Sequence, residues 1–424
     1  MEIRHAGFMD ANNMRACMLA YTFYEQDNRV RRYAEALTKR GDQVDAIALR
    51  RPMSPASEVI QGVNVFRIQK RIIDERRPIN YLWKLLLFFL HSSWFITVRH
   101  LWQPYDVIHV HSVPDFEVFA TLVPRLLGAR VILDIHDIVP EFYATKFKVE
   151  ESSLIFRILV SIEKLSIWYS DRVIISNDLW REKLLSRSVN EKKCTTIMNY
   201  PDPSIFSGGE HSGSLGGRAF TMCYPGTLAW HQGLDLAIDA VSLLRAEVPN
   251  LKFVIIGDGP QREELKRRIQ ERNIGDRIEI REGVAIEEIA EFMKQVDLGV
   301  VPKRKNKFAN EAFSTKILEF MAMNVPVLAA RTRIDEHYFN DELVQFFEPE
   351  NVEDLAAQIR FLIRSPTRRL SLCKGGAKFI VENNWDVKKF LYFDLIAQLA
   401  KRGRPSAPES IPCSGGRLSD IGPS

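Results

Sequence analysis

Glu311-Ala-Phe-Ser-Thr-Lys-Ile-Leu-Glu319-Phe-Met-Ala-Met-Asn-Val-Pro-Val-Leu-Ala-Ala330 is the stretch on which the fold of this 424-residue chain turns. It reads as loop, helix, turn and strand, the strand being the apolar run 325–330 around Pro326. Ser314 or Thr315 stands at the helix start, where a hydroxyl accepts bonds from free backbone N–H groups. Those N–H groups and the positive end of the helix dipole attract an anion. Lys316 in the first turn opposes that dipole, and a bound phosphate would reverse the sign. Glu311 and Glu319 stand eight positions apart and could hold hydroxyl groups. A phosphate seat between carboxylates suits a nucleotide sugar. The same residues also suit a solvated helix face, and on the two glutamates alone that plainer reading is the stronger.

Working outward, the alternation of strand and helix repeats. Upstream lie a strand at 298–302, a helix at 286–294, a strand at 277–281, a helix at 261–270, a strand at 252–257, a helix at 234–244 and a strand at 220–226. The Gly/Ser-rich segment 207–217 precedes them and reads as a linker. The first half repeats the pattern, with a helix at 29–40 capped by Gly41 and strands at 44–49, 106–111, 130–136 and 171–176. Strands alternating with helices imply parallel sheets covered on both faces. The expected fold class is therefore α/β, with two doubly wound Rossmann-like domains facing a central cleft, where ligands meet the carboxyl ends of strands. The expected boundaries are 1–205, a linker at 206–217, 218–385, a helix at 386–403 packing back on the first domain, and a disordered tail at 404–424.

Composition narrows the classes. A formal charge of +4 and 46% hydrophobic residues suit a globular protein and give no nucleic-acid signature. Cys17, Cys194, Cys223, Cys373 and Cys413 have no paired spacing, which suits a reducing cytosol and excludes a disulfide framework. The N-terminus lacks a signal-peptide pattern. Residues 81–98 form a long apolar segment interrupted by Lys84, His91, Ser92 and Ser93. Arg67, Lys70, Arg71, Arg76 and Arg77 precede it. Membrane-surface contact and a core helix behind a solvated loop fit this region equally.

Candidate chemistry gathers at strand ends. Asp134-Ile-His-Asp-Ile-Val-Pro-Glu141 follows a strand, so His136 could donate to a sugar oxygen, and Asp137 and Glu141 could accept protons. His109 and His111 share a strand face, and one could line the same cleft. Pro225-Gly-Thr-Leu-Ala-Trp-His-Gln-Gly233 is a glycine-bearing turn of the kind that admits a phosphate, marking Gly226 and Thr227. Lys303, Arg304, Lys305 and Lys307 could neutralise a diphosphate or simply line a solvated loop. Gly257-Asp-Gly-Pro260 is not a dinucleotide fingerprint, no P-loop motif occurs, and no His/Cys/Asp group has metal-ligand spacing.

In order and spacing these motifs resemble glycosyltransferase family 4, retaining enzymes of the GT-B fold, from about residue 25 to 399. The family's Glu, seven residues, Glu motif matches Glu311 and Glu319. Gly226-Thr-Leu to Gly233, Gly257-Asp-Gly-Pro260 and Asp297-Leu-Gly-Val-Val-Pro302 match further segments, as do Asp27-Asn-Arg-Val-Arg-Arg32, Asp106-Val-Ile-His-Val-His111 and Asp134-Ile-His-Asp137. The resemblance implies a nucleotide diphosphate sugar as substrate, no cofactor and no metal. It places Glu319 on the ribose, Glu311 on the donor sugar, Lys316 with the Ser314/Thr315 helix start on the diphosphate, and His136 beside the reacting sugar. Asp137, His111 and Glu141 become acceptor-side candidates. Thr227 and Gln232 stand where many members carry Arg and Lys, so Lys316, with Lys303, Arg304 or His231, would have to compensate. Glu25-Gln-Asp-Asn-Arg29 replaces a Gly-Gly loop common in the first domain. The expected activity is transfer of a sugar to a glycan or lipid-linked acceptor in surface polysaccharide synthesis, in the cytoplasm or at the inner face of the membrane. A nucleotide-sugar epimerase and a catalytically silent partner subunit are the competing expectations.

Overall fold

Two sheets, both built mainly from parallel strands, carry the molecule in a computed structural model that describes residues 14–71, 78–147, 149–209 and 218–403. The first has the order β3-β4-β2-β1-β5-β6-β7-β8. Its strands are β1 (Arg15–Ala20), β2 (Gln43–Arg50), β3 (Ser57–Ile60), β4 (Val63–Lys70), β5 (Val107–His111), β6 (Arg130–Ile135), β7 (Arg172–Ile175) and β8 (Cys194–Thr196). The second has the order β11-β10-β9-β12-β13-β14. It comprises β9 (Phe220–Pro225), β10 (Leu251–Ile256), β11 (Ile278–Arg281), β12 (Leu298–Val301), β13 (Val327–Ala330) and β14 (Gln345–Phe347). All its pairings are parallel; in the first sheet only β3 pairs antiparallel, with β4.

Helices cover both faces. In the N-terminal half these are α1 (Asn28–Arg40), α2 (Pro78–Trp102), α3 (Leu122–Leu126), α4 (Val139–Phe147), α5 (Leu154–Tyr169) and α6 (Asp178–Arg187). The C-terminal half has α7 (Leu234–Leu243), α8 (Arg262–Glu271), α9 (Ile286–Met293), α10 (Thr315–Ala322), α11 (Arg333–Tyr338), α12 (Val352–Arg364), α13 (Pro366–Glu382) and α14 (Trp385–Gly403). Local chemistry explains several termini. Asp27 accepts bonds from the amides of Arg29 and Val30 and so starts α1, and Gly41 in the left-handed region ends it. Ser153 and Asn177 cap α5 and α6 in the same way.

One apolar cluster joins the sheets. It runs from Tyr33 and Leu37 of α1 through Ile197, Met198, Tyr200 and Phe206 of the crossing segment to Ile317 and Phe320 of α10. Trp385, Tyr392 and Leu395 of α14 belong to it, so the last helix packs against the first sheet. The Tyr392 hydroxyl reaches Nδ1 of His109 at 2.9 Å. The expected linker begins pinned: the Gly208 amide donates to the Ala322 carbonyl at 3.1 Å. The remainder of that linker, Arg76, Arg77, Cys413 and the expected disordered tail lie outside the described residues. Of the basic residues placed before α2, Arg67 is buried and paired with Glu25 and Glu58, so it does not belong to an exposed cationic rim.

Candidate functional site

A cleft of about 270 Å³ opens between the carboxyl ends of the two sheets. One wall carries Asp27, Arg29 and Arg32 of α1 and its cap, with His136 just past β6; the other carries Thr315 and Glu319 of α10. His136 and Glu319, 183 positions apart by subtraction of their numbers, are thus brought to one space.

His136 is held from behind by Asp134. This carboxylate is fully buried, and both its oxygens lie on the Arg29 guanidinium, at 2.7 Å from Nε and 2.6 Å from Nη2. Its Oδ2 also lies 3.4 Å from Nε2 of His136 and 3.3 Å from Nδ1 of His111. Burial by itself would raise the Asp134 carboxyl, but Arg29 and the histidines outweigh it and hold the group well below the usual carboxylate range. His111 Nδ1 meets His136 Nε2 at 3.2 Å, so one of those nitrogens donates and the other accepts. Burial, and then His109, press His111 well below the ordinary imidazole range, so it stays neutral. His111, expected on the acceptor side, therefore stands behind His136 as its support. Ser176 fixes the same loop by donating to the His136 carbonyl at 2.8 Å.

The sequence carries no metal-ligand spacing, yet folding brings ligand atoms of His109, His111 and Asp134 within 4.8 Å of one another. They do not fit a metal. The cationic Arg29 already holds both oxygens of Asp134, so a cation bound there would lie directly against the guanidinium.

On the other wall, the hydroxyl cap expected at the start of α10 is not made: the Ser314 hydroxyl is buried and has no partner among the described residues, so the first-turn amides of α10 receive no side-chain cap. Lys316 lies over the Tyr224 ring, its ammonium 5.0 Å from the centroid, and no ion pair to it is found among the described residues. Burial pushes that ammonium down, Glu319 pulls it up and Lys303 pushes it down again. Glu319 is raised by burial and lowered by Lys316, Thr315 and Arg32. Gly226 sits under Lys316: at φ +135, a Cβ there would fall 2.5 Å from the lysine Cε. Gly257 packs in turn on Gly226, where a Cβ would lie 2.0 Å from its carbonyl oxygen. The loops after β9 and β10 thus interlock to leave a channel for one lysine. Thr227 is exposed beside them.

Other expected residues are engaged elsewhere. Lys303 is buried on Asp335 at 2.8 Å and donates to the Ala312 carbonyl. Arg304 pairs with Asp235 and Glu350 and lies over Trp230. Glu141 has both oxygens on Arg187, which also holds Glu163. Glu311 does not line the cleft; its oxygens take Lys183 of α6 at 2.7 Å and Arg333 of α11 at 3.0 Å. Asp137 has no hydrogen bond among the described residues, and burial raises its carboxyl.

Arg29 and Arg32, quoted above only as part of a matching segment, and Asn199 had no site role assigned from the sequence. Asn199 Oδ1 accepts from Arg29 Nη1 at 2.7 Å and Arg32 Nη2 at 2.8 Å. Arg32 is buried with no carboxylate partner among the described residues, and burial lowers its guanidinium to about 10. The available signal was two arginines one turn apart at the start of a helix that follows a strand end.

Comparison with known proteins accounts for both halves. The family described as Glycosyl transferases group 1 matches residues 213–379, and Glycosyl transferase 4-like domain matches 26–199. The GDP-mannose-dependent alpha-(1-6)-phosphatidylinositol monomannoside mannosyltransferase of Mycolicibacterium smegmatis is 24% identical over 186 residues, 43% of this chain and 48% of that one. The chain spans about half the length of the first curated relatives it matches. The sucrose-phosphate synthase of Thermosynechococcus elongatus superposes with a TM-score of 0.74 at 18% identity, over 92% of this chain and 100% of that one. Anabaena HepE in complex with UDP and glucose superposes with a TM-score of 0.68 at 15% identity, over 91% of this chain and 100% of that one. Two interlocked strand-end loops, an uncapped α10 and matching models on both halves converge: the chain belongs to the family 4-like glycosyltransferases of the GT-B fold.

Proposed function

We propose that this protein transfers a sugar, with retention of configuration, from a nucleoside diphosphate sugar to a glycan or lipid-linked acceptor, and that it serves surface polysaccharide synthesis. The observation that carries the reading is that Lys316 and the Ser314 hydroxyl stand together at the start of α10, each without a bonding partner among the described residues. One is a part-buried cation and the other a buried hydroxyl, and among the described residues neither an ion pair to the first nor a hydrogen bond to the second is found. A diphosphate there would meet uncapped amides, the helix dipole and the ammonium. Anabaena HepE was solved with UDP-glucose, which supports a nucleotide in this fold's cleft.

Glu319 then takes the ribose hydroxyls. His136, oriented by Asp134 and His111, takes a hydroxyl or ring oxygen of the reacting sugar. Departure of the diphosphate is stabilised by fixed cations and amides in place of a metal. Acceptor attack from the face that the diphosphate leaves gives retention without a carboxylate nucleophile. Asp137 faces the acceptor side. Glu311 reaches the donor sugar only by leaving Lys183 and Arg333, so its role belongs to a differently closed cleft. Action in the cytoplasm, at the inner face of the membrane, completes the reading.

The test is a thermal-shift screen with UDP, GDP, ADP and their sugars, since a ligand that binds only the folded state raises its stability. One nucleotide series should raise the melting temperature, and Lys316→Ala should weaken that response by about 10- to 100-fold in affinity, the scale of one charged hydrogen bond. Undiminished affinity in both Lys316→Ala and Glu319→Ala would sink the assignment.

A further inference from the structure

Helices α2, α3 and α5 cover one face of the first sheet and meet through the short helical segment Asp115–Thr121. Their inner sides are ordinary core: Leu85, Phe88 and Ile96 of α2 and Ile167 of α5 are buried against β5 and β6. Their outer sides are apolar as well. Trp83 and Trp94 of α2 are 66% and 74% exposed, and Trp168 of α5 is 74% exposed. Leu90, Leu126 and Leu165 are exposed beside them. With Trp102, four of the chain's seven tryptophans face outward on these helices.

Only 22% of the apolar window of α2 is buried, which a core helix does not show. Spanning a bilayer is excluded by topology: β4 and β5, which flank α2, belong to one sheet, and α2 is docked on that sheet along its length. Charge on this face is one-sided. α2 and α3 contain no acidic residue, and α5 contains only Glu163, buried on Arg187. Asp115 and Glu117 of the joining segment are buried too. Arg157 and Lys164 of α5 are exposed. A second copy seated here would bring cations against cations across a two-fold axis. Tryptophans and leucines among cations, with no exposed acid on the helices, match the headgroup layer of an anionic bilayer.

We infer that α2, α3 and α5 form one composite docking face for an anionic lipid surface, with α2 lying in the plane of the interface. The inference rests on the lipid-linked reading of the acceptor and deepens it. β5 ends at His111 and runs straight into Asp115–Thr121, so one short connection ties this face to the histidine end of the cleft.

The experiment is flotation of the full chain with phosphatidylcholine vesicles, with and without phosphatidylglycerol, alongside tryptophan quenching by brominated acyl chains. Binding should require the anionic lipid, weaken with salt and place tryptophans within reach of the bromines. Trp94→Ser and Trp168→Ser should each lower partitioning by about tenfold or more, with the circular dichroism spectrum and the nucleotide thermal shift unchanged. Loss of binding in Trp94→Ser alone overturns the composite face, because Trp168 lies on a different helix. Equal binding to neutral vesicles, or a lipid-free dimer that Trp94→Ser dissolves, overturns it as well. A nucleotide that fails to shift the melting temperature while vesicle binding persists overturns the transferase reading and leaves the docking face standing.

Discussion

Asp134 shows how much one buried charge organises. Its oxygens hold Arg29, and its Oδ2 steers His111 and His136, so the side chain is both anchor and aiming device. Asp134→Asn would leave the Arg29 guanidinium buried beside a neutral amide, and a loss of about 3–5 kcal/mol is expected by urea unfolding. Gly226 makes a second case. Gly226→Ala should push Lys316 aside and weaken nucleotide binding at least as much as Lys316→Ala does, measured by isothermal calorimetry. Glu117 gives a pH prediction. It is buried, accepts from Ser92 on one oxygen, has no partner for the other among the described residues, and burial raises its carboxyl to about 8. The unfolded chain ionises this group near its ordinary value while the fold keeps it protonated. Its contribution to stability is therefore full below about 4.5 and lost as pH rises toward about 8. Melting temperatures of the wild type should thus fall more between those pH values than those of Glu117→Gln, and parallel curves would contradict this. Asp134, lowered in the fold, acts in the opposite sense and is common to both proteins, so the comparison isolates Glu117.

Element by element, the long periodic segments were legible in the sequence. The helices at α1, α7, α8 and α9 and the strands β5, β6, β10 and β12 lie within a residue or so of where spacing predicts them, because burial of one stripe or a short β-branched run dictates them. β1 escaped, although it is central to its sheet: Arg-Ala-Cys-Met-Leu-Ala has no β-branched residue, and its pairing with β2 and β5 makes it a strand. The antiparallel β3 also escaped, being short and exposed at the sheet edge. α14 is the element whose removal tests the assembly. Trp385 lies against Tyr33 and under Arg32, and Tyr392 bonds His109. Trp385→Ala should cost about 3–5 kcal/mol as a core truncation, read from the shift in urea midpoint.

At the scale of the whole molecule, the two sheets are clamped by polar contacts across the cleft. Lys183 takes Glu311, Asn177 donates to the Glu311 carbonyl, and Tyr338 meets Asp178. Glu311 is thus a latch in this state, and the proposed contact with the donor sugar requires another. Lys183→Ala should loosen the donor-free form, giving a larger radius of gyration by small-angle scattering that returns toward the wild-type value when the nucleotide sugar is added. An unchanged radius would show that the apolar cluster through Tyr200 and Trp385 sets closure alone.

The sequence by itself determined the alternation of strands and helices, the place of the helix start at Ser314 and Thr315 and the spacing of Glu311 and Glu319. These are local properties, set by periodicity and by a few residues of backbone, whereas the absence of a side-chain cap at that helix start came only from the fold. Only the tertiary structure decided which charges are available. Lys303, Arg304 and Glu141 read as free in sequence and are paired in space, while Arg29, Arg32 and Asn199 converge from positions up to 170 residues apart. Exposure is likewise a property of the packed whole. Trp94 and Trp168 carry no mark in the sequence that separates them from the buried Trp180, and only the sheet beneath them decides which side of each helix is left for another surface.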